Sequence, residues 1–98
     1  MQAAFQAGPL AQFAAALAGD DRIARLRDGV IGEGVEIPGP LGPRKLVYAD
    51  YVASGRALRQ IETFVMDHLL PYYANSHTEA SFCGARMTQM RQEARATI

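Results

Sequence analysis

The sequence predicts a mainly helical chain with one short strand, and three observations carry that reading. Apolar side chains recur at helical spacing in three stretches, around 10–17, 58–69 and 87–98. Only one run, Lys45-Leu46-Val47-Tyr48-Ala49-Asp50, has the composition of a strand. The 98 residues balance ten basic against ten acidic side chains and are 49% hydrophobic, which fits one small globular domain rather than a disordered tail.

The first helix spans residues 9–18. Pro9 suits a first helical position, and Leu10, Phe13, Ala14 and Leu17 make one apolar stripe that Gly19 stops. Asp20 or Asp21 caps a second short helix through Arg27, with Ile23 and Leu26 on one face. Residues 28–44, with their glycines and prolines, read as loop. After the strand at 45–50, Ser54-Gly55 turns the chain into a helix over 57–70 whose apolar face is Leu58, Ile61, Phe64, Val65 and Leu69. Pro71 ends it, having no N–H to donate. A polar loop over 72–80 leads to a last helix from about Ser81, with Met87, Met90, Ala94 and Ile98 spaced for one face. A lone strand leaves backbone groups unpaired, so the chain reads as part of a larger fold.

Composition excludes several classes of function. Zero net charge gives no electrostatic reason to expect nucleic acid or an anionic membrane as partner. The longest apolar run, 9–18, is about half the length a membrane span requires, and no basic segment precedes it as in a secretory signal. A single cysteine, Cys83, makes neither an internal disulfide nor a cysteine-rich zinc site, and points to a reducing, cytoplasmic setting. His68, His77 and Cys83 lack metal-ligand spacing, so no metal site is expected.

Two motifs then stand out. The run Leu46-Val47-Tyr48-Ala49-Asp50-Tyr51-Val52-Ala53-Ser54-Gly55-Arg56-Ala57-Leu58 is followed, one helix later, by Tyr72-Tyr73-Ala74-Asn75-Ser76-His77-Thr78, Ser81 and Arg91-Gln92-Glu93-Ala94-Arg95. Together they resemble the opening of the class V aminotransferases, the family that includes the cysteine desulfurases. The resemblance covers residues 46–98, with Val52 standing where many members carry alanine. It implies that residues 45–98 are the N-terminal segment of an α/β pyridoxal-phosphate-dependent transferase domain of fold type I, preceded by a helical extension over 1–44. It further implies a homodimer, an amino-acid substrate, and a substrate site to which Val52, Ala53, Ser54, Asn75, His77 and Thr78 contribute.

Each of these residues also has a plainer reading. Ser54 serves equally as an N-cap of the next helix, while the turn's amides before that helix at Ala57 point toward an anion. Asp50 organises the turn. His77 is either a binding-loop residue or a histidine tied to a backbone group, and Thr78 caps the last helix together with Ser81. Cys83 reads as a half-buried small apolar side chain, Met87 and Met90 as core, and Arg86, Arg91 and Arg95 as a solvated face or subunit contact.

No catalytic residue is expected in the chain itself. Pyridoxal phosphate chemistry needs a lysine amine, a phosphate cradle and a carboxylate for the ring nitrogen. The one lysine, Lys45, sits at a strand end, and Gly32–Gly39 carries Glu33 and Glu36 and opens no helix. The chain alone therefore reads as unable to bind the cofactor covalently, which would be a property of the intact enzyme. The rival reading is an independent helical interaction or regulatory module built on the helices at 57–70 and 82–98.

Overall fold

The computed structural model describes residues 8–75 and 80–98. They form a mainly helical chain with one two-stranded antiparallel sheet, divided into two compact units. One unit joins the segment up to Asp20 with the segment from Thr63 onward; the other is Asp21–Glu62.

In the first unit, helix α1 spans Pro9–Leu17 and helix α4 spans Phe82–Thr97. Pro9 opens α1 as its composition predicts, but the residue before it, Gly8, has no side chain with which to cap the exposed amides. Glu93 of α4 supplies the missing acceptor: its Oε1 takes the N–H of Ala11 at 2.8 Å. A carboxylate there also meets the positive end of the α1 dipole. A Cβ on Gly8 would collide with that carboxylate, so the absence of a side chain is what admits the cap. Ser81 caps α4 as expected, accepting from the N–H of Gly84 at 3.0 Å. Met87 and Met90 are the buried hydrophobic residues among those described, at 8% and 6% exposure, with Phe13 tilted against Phe64 at 4.9 Å. Ile98, expected on the same face, is fully exposed at the helix end.

The expected helix over 57–70 is corrected in three respects. It begins at Arg59, is α-helical only through Phe64 (helix α3), passes into a π-helical turn at Val65–Leu69, and closes with a 3-10 turn at Leu70–Tyr72. Its start is delayed because the backbone at Ala57 and Leu58 is engaged elsewhere: Ile31 N–H donates to Ala57 C=O at 2.9 Å, and Val30 and Leu58 form a bridge. Its end is reshaped by Pro71, which lies inside the 3-10 turn rather than beyond the helix. A proline ring strikes the carbonyl four residues back, here that of Asp67, and widening the preceding turn relieves the clash. Leu70 N–H accordingly donates to Val65 C=O, five residues back.

In the second unit, helix α2 spans Arg22–Gly29. Asp21 occupies its N-cap position but makes no cap bond; its carboxylate takes Arg25 Nε at 3.0 Å instead. The single strand expected at 45–50 is also corrected. Strand β1, Glu36–Ile37, pairs antiparallel with β2, Arg44–Lys45, with Glu36 opposite Lys45 and Ile37 opposite Arg44. The partner comes from the stretch read as loop, where a turn closed by Gly42 N–H to Gly39 C=O at 3.1 Å brings the chain back. Pairing runs out after Leu46 N–H to Val35 C=O at 2.8 Å, so residues 47–50 lie outside the sheet. Gln60 ties α3 to α2, its Nε2 donating to Arg25 C=O at 2.8 Å. Among the described residues no helix is long and apolar enough to cross a membrane.

Two substitutions test this account. Met90→Ala is expected to lower unfolding free energy by about 2–4 kcal/mol, as truncation of a buried methionine does. Glu93→Ala is expected to cost about 1 kcal/mol through the lost α1 cap. Urea denaturation followed by circular dichroism reads both.

Candidate functional site

The first motif forms a closed turn. The carbonyl of Asp50 accepts from Ala53 N–H at 3.1 Å and from Ser54 N–H at 3.3 Å, and the Tyr48 hydroxyl lies 3.1 Å away. Its single proton goes to the nearer Ser54 C=O, at 2.6 Å, which pins the far end of the turn to the aromatic ring. Asp50 thus organises the turn through its backbone. The three candidates Val52, Ala53 and Ser54 are brought together here, all exposed, with the Val52 side chain entirely in solvent.

Two expectations about this turn are corrected. The amides of Ala53 and Ser54 do not face outward toward an anion, because both are spent on Asp50. Ser54 does not cap the next helix either: its Oγ donates to Gly55 C=O at 2.9 Å, five residues before α3 begins.

Behind the turn lies a cleft of about 460 Å³ in the same unit. Its apolar wall is Ile23, Leu26, Val30 and Leu58, and its polar groups are Arg27, Glu33, Tyr48, Tyr51 and Arg56. The Arg56 side chain is only 10% exposed, with Nη1 3.1 Å from Glu33 Oε1 and the guanidinium 5.5 Å from the Tyr48 ring centre. Its Nη2 packs where a side chain at residue 32 would stand, so Gly32, with φ of +97°, is required there twice over. Tyr51 meets Tyr48 edge to face at 5.4 Å. Arg56 was not among the sequence-predicted site residues. Its partner Glu33 lies 23 positions away, beside the Val30–Leu58 bridge, which no local pattern announces.

The second motif belongs to the other unit. Tyr72 holds the guanidinium of Arg86 over its ring at 4.2 Å and meets Phe82 edge to face at 5.9 Å. Arg86 Nη2 donates to His68 C=O at 3.5 Å, while its buried Nε has no hydrogen-bond partner. The expectation of a solvated Arg86 is therefore corrected, whereas Arg91 and Arg95 are exposed as read. Asn75 is exposed; His77 and Thr78 lie outside the described residues. Cys83 is a half-buried free thiol.

Nothing described here fits pyridoxal phosphate. Lys45 is exposed at the end of β2 beside Arg44, and the glycine-rich segment is folded into turns and a strand with Glu33 and Glu36 along it. No group of three or more histidine, cysteine, aspartate or glutamate side chains that could hold a metal occurs among the described residues.

Tyr48→Phe removes the hydroxyl that pins the turn. It is expected to cost about 1 kcal/mol of stability and to speed hydrogen exchange of the Ala53 and Ser54 amides, as read by NMR.

Compared with family models, with curated proteins and with solved structures, the chain matches none. Its functional reading accordingly rests on its own residues.

Proposed function

We propose that this chain is the N-terminal portion of a pyridoxal-phosphate-dependent class V aminotransferase or cysteine desulfurase-like enzyme. In that reading Val52, Ala53, Ser54, Asn75, His77 and Thr78 contribute to the wall of an amino-acid substrate site, and the chain is inactive alone. The observation that carries it is the ordered pair of motifs at 46–58 and 72–95, separated by one helix. The helical path through 59–72 and the Ser81-capped helix α4 are compatible with the order of elements the resemblance implies.

Exposed apolar side chains add support. Leu41, Val47, Val52, Tyr73 and Phe82 are all 70% exposed or more, an arrangement that a larger subunit or a homodimer would cover. Because no described group suits the cofactor, its lysine, phosphate cradle and ring-nitrogen carboxylate are assigned to residues beyond those seen here. The cofactor would supply the electron sink for amino-acid chemistry. The contribution of this chain is confined to binding: compact side chains at Ala53 and Ser54 let a ligand approach the backbone turn that Tyr48 fixes.

The test is to express the complete gene containing this sequence and to examine the product spectroscopically. A yellow protein is expected, whose colour borohydride bleaches while leaving the cofactor covalently attached to a lysine. A colourless product that takes up no pyridoxal phosphate overturns the proposal and favours the small interaction module instead.

A further inference from the structure

We infer that the Arg56 cleft is a binding site for a small amphipathic carboxylate, an acid whose charged group meets Arg56 and whose apolar body lies on Ile23, Leu26, Val30 and Leu58. The inference stands on the geometry of the Asp21–Glu62 unit and does not depend on the proposed family.

Size, lining and charge each narrow the ligand. A cleft of about 460 Å³ lies within the range that small-molecule sites occupy. Four aliphatic side chains on one wall require an organic body rather than a bare inorganic anion, and the Tyr48–Tyr51 pair offers that body an aromatic surface. The charged anchor is preorganised: Arg56 Nη2 fills the space over Gly32, its guanidinium lies 5.5 Å from the Tyr48 ring centre, and the side chain is nine-tenths buried. A guanidinium carries five N–H donors in a fork suited to a carboxylate, and Glu33 engages one of them from Nη1 alone.

Glu33 is 57% exposed and anchored by that single contact, so it stands in for the ligand and can yield its place to one. It also sets the charge the site accepts. With Arg27 and Arg56 against one carboxylate, the cleft has a net charge of about +1, which matches a monoanion and disfavours a phosphate dianion.

The experiment titrates the full chain with 3-phenylpropionate, its uncharged amide and inorganic phosphate, following backbone and arginine side-chain resonances by NMR. Saturable shifts are expected at the Arg56 side chain and around Val30–Glu33 and Leu58, with the amide and phosphate each about tenfold weaker than the acid. Arg56→Gln is expected to weaken the acid about tenfold, and Glu33→Gln to tighten it about threefold by removing the internal competitor. If Arg56→Gln fails to fold, the acid–amide comparison and Glu33→Gln decide the matter. Absence of saturable shifts, equal binding of acid and amide, or phosphate binding as well as the acid would each overturn the inference.

Discussion

Among the described residues, a shortage of buried apolar side chains is the constraint on which the rest of this structure depends. Met87 and Met90 are buried, while Leu41, Val47, Val52 and Ile98 stand in solvent. A chain of this length buries only about 60–65% of its unfolded surface even when compact, so it starts with little hydrophobic stabilisation to distribute. What joins distant segments is a set of side chains that reach backbone groups. Glu93 takes the Ala11 amide across 82 positions, Gln60 donates to Arg25 across 35, and Arg86 donates to His68 across 18. Each contributes modestly, and each is strongly directional.

Directionality explains where order is concentrated. The 50–54 turn is small, polar and exposed, yet two amides converge on the Asp50 carbonyl and a phenol on that of Ser54. Arg56 is likewise fixed by two partners, the Glu33 carboxylate and the Tyr48 ring, rather than by immersion in an apolar core. Rigid presentation of exposed or cleft-facing groups is what a binding surface requires, because groups already held in place lose little freedom when a ligand arrives. The features that make this chain weak as a hydrophobic globule therefore suit it to contribute surfaces to a site.

Local chemistry was legible in the sequence where it acts over a few residues. Pro9 opening α1, Ser81 capping α4 and the Met87–Met90 face all follow from neighbours within a turn or two. The strand was misjudged because a two-residue ladder is set by the partner and the Gly39–Gly42 turn, not by the Val47–Tyr48 run that looks most strand-like. The helix over 57–70 was misjudged at both ends for the same kind of reason: Val30 claims Leu58, and Pro71 acts backward through Asp67 rather than forward. The candidate turn at Val52–Ser54 follows from the motif, but Arg56 is left out of the site and Arg86 reads as a solvated face or subunit contact, since their partners lie 23 and 18 positions away.

The π-helical turn at Val65–Leu69 has a geometric consequence for everything that follows it. One surplus residue in a helical turn shifts the phase of later side chains by about 100° relative to an unbroken α-helix. Tyr72 reaches Arg86 with that offset already included, so its aim is calibrated by the proline one position before it. A single-codon deletion anywhere in the widened turn would leave every later side chain chemically unaltered and yet turn the ring of Tyr72 away from its cation.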